Sequence, residues 1–171
     1  ILGIDNNSIR YTSLAEFGGY SYKIHDYAFY LCEYLQKVTF EQNSRVTSIG
    51  KYAFYNCYYL TSINLPGSVS SIGSFAFYNC SHLTSIVIPN GVLTIGNCAF
   101  ASCASLTSVS IPQSVTIIGF QAFYNSFRIQ TIFYDGNYSE WAAVQKGNEW
   151  NCEWKNGSSC VIGYTMRYNP Y

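Results

Sequence analysis

A phrase of 23 residues recurs down this chain, and a fixed period of that length leaves few folds open. One copy reads Leu60-Thr61-Ser62-Ile63-Asn64-Leu65-Pro66, then Val69, Ile72-Gly73 and Ala76-Phe77-Tyr78-Asn79-Cys80. The next repeats Leu83, Ile86, Ile88-Pro89, Val92, Ile95-Gly96, Ala99-Phe100 and Cys103. A third runs Leu106, Val109, Ile111-Pro112, Val115, Ile118-Gly119 and Ala122-Phe123-Tyr124-Asn125. The phenylalanines of the Ala-Phe words stand at 29, 54, 77, 100 and 123, so the steps are 25, 23, 23 and 23. A period of that size implies stacked supersecondary units, none able to bury its apolar face alone. About five 23-residue rungs form the expected solenoid, built of short strands and turns and closed by a cap.

Within each copy, Leu-x-x-Ile-x-Ile has the two-residue alternation of a half-buried strand. Proline closes it at Pro66, Pro89 and Pro112, because proline cannot donate to a ladder. Val-x-x-Ile puts a second apolar pair on the core, and the glycine after it is expected to allow a sharp turn. Ala-Phe-x-x-Cys reads as a short helical or 3₁₀ turn with its Phe filling the rung. Stacking at strand spacing then makes columns of like residues. Leu35, Leu60, Leu83, Leu106 and Ile129 are one; Phe29, Phe54, Phe77, Phe100 and Phe123 are another.

These phrases resemble the BspA-like leucine-rich repeats of bacterial surface proteins, over residues 24–134. The resemblance implies an α/β repeat solenoid, a leucine-rich-repeat right-handed superhelix that is β-rich with short helical or 3₁₀ turns. It also implies a non-enzymatic role in attachment to host or extracellular-matrix protein, or to other bacteria. The chain departs from the general leucine-rich repeat where Asn or Cys is usual, carrying Ser68, Gly91 and Ser114 instead. Residues 1–23 are expected to be a degenerate N-terminal repeat or cap, and 135–171 a C-terminal cap. The latter holds Trp141, Trp150 and Trp154, a helix-like stretch Ser139–Val144, and an expected last strand at 160–164. Tyr134, Gly136 and Trp141 resemble the capping stretch of gut-bacterial members. The same indoles offer an alternative, sugar-stacking platforms in a carbohydrate-recognition or spacer module of a larger secreted enzyme.

Charge narrows the partner class. Nine acids balance nine bases, which argues against nucleic acid as a partner, because its binding needs a basic face to displace counterions. Only 11% of residues are charged, and Tyr, Ser, Asn and Thr supply the polarity, which points to an extracellular or cell-surface setting. No apolar run has the length of a membrane span. The chain opens Ile1-Leu2-Gly3-Ile4-Asp5 with no signal pattern, so a segment of a longer exported protein is expected.

The residues that could do chemistry are few. Cys32, Cys57, Cys80 and Cys103 share one place in successive rungs and read as a buried ladder. Cys152 and Cys160 lie outside the repeat and are the disulfide candidates, while the odd total of seven leaves a free thiol or an intermolecular link. His25 and His82 are the only histidines, and His82 shares a variable exposed position with Tyr34, Tyr59, Ser105 and Arg128. No metal, phosphate-loop or nucleophile motif occurs, so neither cofactor nor enzyme activity is expected. The sequons at Asn6, Asn79, Asn137 and Asn156 matter only in a eukaryotic secretory host, and Asn79 sits inside the turn.

The outward positions remain as the binding candidates, with a protein partner expected and a glycan as the other option. One ribbon is Tyr30, Tyr55, Tyr78 and Tyr124, interrupted by Ala101; another is Tyr27, Tyr52 and Phe75, continued by Cys98 and Gln121. Tyrosine gives a large contact area with few rotors to freeze, and 17 tyrosines exceed what a core requires. The strand face offers small polar groups at Ser62, Asn64, Ser85, Ser108 and Ser110.

Overall fold

The computed structural model describes residues 4–5, 8–11, 23–40, 42–151 and 165–169. The repeat folds as a three-faced β-solenoid of about five turns, and we number its rungs one to five by Phe29, Phe54, Phe77, Phe100 and Phe123. The strand face begins with the antiparallel pair β1 (Ile4–Asp5) and β2 (Ser8–Tyr11). The second face begins with β3 (Lys23–Ile24). From there strands alternate between the faces: β4 (Lys37–Phe40), β5 (Ser48–Ile49), β6 (Ser62–Ile63), β7 (Ser71–Ile72), β8 (Ser85–Val87) and β9 (Thr94–Ile95). They continue with β10 (Ser108–Pro112), β11 (Ile117–Ile118) and β12 (Thr131–Asp135). Helix α1 (Tyr138–Ala143), β13 (Gln145–Lys146) and β14 (Thr165–Tyr168) complete the described chain.

The strand face carries two sheets, β1-β2-β4-β6 and β8-β10-β12-β14, joined across the gap by Thr84 N–H donating to the Thr61 carbonyl at 3.4 Å. The second face is one sheet of β3, β5, β7, β9, β11 and β13, every pair parallel. Pairing is in register, Val38 on Ile63 and Ile86 on Val109 on Ile132, so like residues fall into buried columns. The expected Leu and Phe columns form. Phe54, Phe77, Phe100 and Phe123 are fully buried, Phe29 is half-buried, and successive ring centroids lie 5.1, 5.0, 5.1 and 5.3 Å apart. Each stacked pair adds about 0.5–1.5 kcal/mol beyond burial.

The long first step is a corner insertion. Val38 to Val46 spans two more residues than Ile63 to Val69, and the surplus falls between β4 and the next buried valine. Proline ends strands as expected: Pro66 and Pro89 follow β6 and β8, and Pro112 is the last residue of β10.

The third face refines one expectation and corrects another. The Ala-Phe segment keeps 3₁₀-like bonds, such as Ala28 N–H to His25 O and Tyr30 N–H to Tyr27 O, but it never becomes a helix. Residues two apart instead donate to the next rung: Tyr27 to Lys51 O (2.9 Å), Phe29 to Ala53 O (2.7 Å) and Leu31 to Tyr55 O (2.9 Å). Tyr27 (φ 61°) and Leu31 (φ 59°) are left-handed, as are their counterparts in every rung through Gln121 and Asn125. The left-handed residues re-aim alternate peptides along the stack, so a chain of turns makes a parallel ladder. The glycine of Ile-Gly is likewise not there for its φ, since among the described glycines only Gly91 (φ 110°) lies in the positive region. A Cβ on Gly96 would stand 2.4 Å from Ser74 N and 2.6 Å from Gly73 C. Gly50, Gly73 and Gly119 are equally tight against the rung before them. Glycine is needed because backbone meets backbone there.

Rung geometry also continues beyond Tyr134, where the sequence period stops. β13 pairs with β11, and Gly147 N–H donates to Ile118 O as Gly119 N–H does to Ile95 O. Helix α1 fills the corner between β12 and β13, started by a capping box in which the Asn137 side chain accepts from Glu140 N and Glu140 accepts from Asn137 N. Lys146 Nζ donates to the Trp141 and Val144 carbonyls at 2.6 and 2.9 Å, closing the helix end. The expected last strand at 160–164 lies outside the described residues; the strand that is described is β14, parallel to β12.

Candidate functional site

The turn face brings the expected tyrosines together. Tyr27, Tyr52 and Phe75 form one column, with centroids 4.9 and 4.9 Å apart and planes within 5°. Tyr30, Tyr55 and Tyr78 form a second, at 5.1 and 4.9 Å. The columns adjoin, since Tyr27 meets Tyr30 edge-on at 5.6 Å, Tyr52 meets Tyr55 at 5.6 Å and Phe75 meets Tyr78 at 5.9 Å. Six rings thus tile rungs one to three. Tyr27 and Tyr30 are 56% and 42% exposed; the other four are half-buried. Burial pushes the Tyr55 phenol up, with the Tyr78, Tyr30 and Tyr52 phenols adding to the shift, so it stays a neutral donor at ordinary pH. At rung four the tiling stops, where Cys98 and Ala101 are both buried, and Tyr124 stands one rung beyond the gap.

The strand face is as plain as its sequence. Ser62, Asn64, Ser85 and Ser108 are exposed and Ser110 is half-buried, with Val87 (66% exposed) and Phe133 set among them. Where an asparagine ladder is usual, Ser68 Oγ donates to the Ser44 and Val46 carbonyls at 3.0 and 2.7 Å, and Ser114 Oγ to Val92 O at 2.9 Å.

A third feature lies at the corner where the turn face meets the strand face. Tyr34 and Tyr59 stack at 6.0 Å, and Tyr58 stands at 82° to Tyr59 with centroids 5.1 Å apart. His82 continues this column, 4.8 Å from Tyr59, with its Nδ1 2.9 Å from the Tyr58 carbonyl. With Glu33, Asn56 and Asn79 the three tyrosines line a cavity of 320 Å³. Reading the Tyr34–Tyr59–His82 position merely as variable missed it. The signal was the doublets Glu33-Tyr34 and Tyr58-Tyr59, which recur as Ser81-His82, Ala104-Ser105 and Phe127-Arg128 and so are special to rungs one and two.

Three of the ladder cysteines lie in the core. Cys57, Cys80 and Cys103 are free and fully buried, and each thiol donates to the carbonyl of the preceding rung's phenylalanine at 3.2–3.3 Å. Burial drives the Cys57 and Cys80 thiols far up and the Cys103 thiol up to about 12, so none supplies a thiolate. Rung five puts Ser126 in this place, its Oγ donating to Phe100 O at 2.8 Å and accepting from Cys103 N. Cys32 and Cys98 are also free, whereas Cys152, Cys160 and Trp154 lie outside the described residues. Trp141 is buried against Tyr134, and Trp150 packs between Trp141 (5.6 Å) and the Phe123 ring (6.2 Å). These two indoles pack against the last rung. Of the sequons, Asn79 and Asn137 are engaged in side-chain hydrogen bonds, and Asn6 and Asn156 lie outside the described residues. Among the described residues no group of three or more His, Cys, Asp or Glu converges, and no helix is long and apolar enough to cross a membrane.

The comparisons agree with this geometry. Residues 22–143 match the family described as BspA type leucine rich repeat region, in six copies. The chain belongs to that family. Among solved structures it is similar to the T. pallidum leucine rich repeat protein TpLRR, at 28% identity and TM-score 0.68, covering 85% of this chain and 70% of that one. A leucine-rich repeat protein from Bacteroides ovatus matches at 27% identity and TM-score 0.57 over 74% of this chain and 39% of its own length. The pneumococcal vaccine antigen PcpA shares the fold at 19% identity and TM-score 0.61, over 88% of this chain and 42% of that one. No curated protein sequence matches the chain. The six copies of the BspA-type match reach past residue 134, as the pairing of β13 with β11 does.

Proposed function

We propose that this BspA-type array is a non-enzymatic binding module, secreted or held at a cell surface, that presents its aromatic turn face to a protein partner. Host or extracellular-matrix protein, or the surface of another bacterium, is the partner class. One observation carries the reading: six rings in two adjoining columns, with Tyr27 and Tyr30 open to solvent at the N-terminal end. Their phenols and flat faces give contact area at low entropic cost. Tyr27, Tyr30, Tyr52, Tyr55, Phe75 and Tyr78 are the contact residues in this reading. Tyr124 is an outlying one, and the strand-face strip of Ser62, Asn64, Ser85, Ser108 and Ser110 is a secondary surface. The repeats of 24–134 act as the presenting scaffold, with 1–23 and 135–171 closing its ends. A solenoid's role lies in such grafted surface residues and not in the fold itself. Surface plasmon resonance of the whole chain against matrix proteins tests the proposal, beside a variant with Tyr30, Tyr55, Tyr78 and Tyr124 changed to Ser. Micromolar binding lost in that variant is expected. Binding that survives it unchanged, or none to any protein, refutes the reading.

A further inference from the structure

The corner cavity has a chemistry of its own, apart from the turn-face columns. Its walls are Glu33 and Tyr34 from rung one and Tyr58 and Tyr59 from rung two, while Asn56 and Asn79 come from the left-handed turn positions of rungs two and three. The amides are held in place: Asn79 Nδ2 donates to Asn56 Oδ1 at 3.0 Å, and Ser81 Oγ donates to Asn79 Oδ1 at 2.6 Å. That chain of bonds leaves the Asn56 amino group uncommitted, with its two donors. The Glu33 carboxylate adds acceptors, and no lysine or arginine lines the cavity to neutralise it. Three phenols, each able to donate and accept, complete the set. The lining therefore mixes donors and acceptors at close quarters beside aromatic carbon.

That mixture suits a neutral polyol. A pyranose carries hydroxyls that both donate and accept around its rim, and C–H faces that rest on aromatic rings. A caged cation would need several ring faces turned to one centre. Here Tyr34 and Tyr59 turn faces to each other, within 10° of parallel, and Tyr58 and His82 crowd Tyr59. At 320 Å³ the cavity is at the small end of ligand sites, room for about one sugar unit with the rest of a chain outside. The cavity is also not a by-product of the repeat, because rungs three to five put Ser81-His82, Ala104-Ser105 and Phe127-Arg128 where rung two has its tyrosine pair. We propose that this corner is a glycan-binding subsite that takes one neutral pyranose residue, with Glu33 and Asn56 reading its hydroxyls and the tyrosine cluster receiving its apolar face.

Saturation-transfer NMR on the whole chain tests this, with a panel of neutral methyl pyranosides and N-acetylhexosamines and with lysine methyl ester as the cationic probe. Variants Glu33→Gln and Asn56→Gly are run beside it, the second keeping the left-handed backbone that glycine adopts freely. The expected result is transfer from at least one neutral sugar, weakened tenfold or more in both variants while their circular dichroism stays that of the parent. The Ile117→Thr variant, on the second face, should bind the sugar as the parent does. No transfer from any sugar at millimolar concentration overturns the proposal, as does transfer that both variants keep, or a response to the lysine ester alone. Protein binding through the turn face stands or falls separately, since its variant leaves Glu33 and Asn56 in place.

Discussion

The substitution Gly96→Ala isolates what the Ile-Gly word does. A methyl there would sit 2.4 Å from Ser74 N, 2.6 Å from Gly73 C and 2.8 Å from Ser74 Cα. Ordinary contacts begin near 3.4 Å, so rungs three and four must part by roughly 1 Å at this corner. Two bonds bracket the site, Gly96 N–H to Ile72 O and Phe75 N–H to Asn97 O, both 2.8 Å, and parting stretches them past useful length. At about 1 kcal/mol each, with overpacking strain of about 1–3 kcal/mol, the loss comes to about 3–5 kcal/mol. For a chain of this size that lowers Tm by roughly 6–20 °C. The control is Gly67→Ala, where a Cβ meets nothing within 4 Å and φ is not positive; its midpoint should stay level or rise slightly. Thermal and urea melts followed by circular dichroism read both variants. If Gly96→Ala melts within 2 °C of the parent, close approach is not why glycine stands there.

Three further outcomes follow from the same stacking. Phe77→Ala removes a fully buried ring in contact with Phe54 and Phe100, and should cost about 3–5 kcal/mol in urea unfolding, far more than Tyr78→Ser on the same rung's surface. Ser126→Ala strips Cys103 N–H and Phe100 O of a buried partner and should cost about 1–3 kcal/mol, whereas Ser126→Cys, which restores the residue of the other rungs, should stay within 1 kcal/mol of the parent in the same melts. Stability should also fall in alkali. The Cys103 thiol is raised from 9.0 to about 12 in the fold, so its contribution is complete below pH 9 and declines as the unfolded chain ionises between 9 and 12. Each such thiol gives a slope of about 1.4 kcal/mol per pH unit, and a Cys103→Ser variant should show a shallower decline in urea melts at pH 8, 9 and 10.

The period made the core legible because one spacing repeated through four Ala-Phe words, after a first step two residues longer, states which residues share a column. Leu60 must lie over Leu83, and Phe77 over Phe100, whatever the turns between them do. The turn itself was harder to read, since Ala-Phe-x-x-Cys satisfies the local pattern of a 3₁₀ segment and nothing local reveals a bond to the next rung. Asn56, Asn79 and Asn125 were the available clue, because asparagine tolerates left-handed φ better than other side chains. Gly96 misled in the opposite sense, its familiar use as a turn former hiding a contact with Gly73 and Ser74 of the rung before. The tyrosine columns were legible as columns. Ala101 marked the break before Tyr124 in the sequence, and the stack adds that Cys98 and Ala101 are both buried there, leaving no outer ring on rung four.

That interruption bears on why the outer rings are there. Rung four carries Cys98 and Ala101 where rungs two and three carry aromatic residues, yet its ladder is unchanged: Phe100 N–H meets Ala122 O at 2.7 Å, as Phe77 N–H meets Ala99 O at 2.7 Å. Cys98 and Ser102 keep the left-handed φ of 53° and 59°, and the Phe column runs through without a break. The fold therefore builds a full rung without outer tyrosines. Their stacking at about 5 Å adds to stability where they occur, but that is a consequence of placing a ring on each of three neighbouring rungs and not a condition for forming them. Exposed aromatic area that folding does not require is free for contact with a partner, the use proposed for it above. Moving the Cys98 and Ala101 pattern into rung two, as Tyr52→Cys with Tyr55→Ala, should therefore lower the melting midpoint by only a few degrees while removing the centre of the proposed binding face.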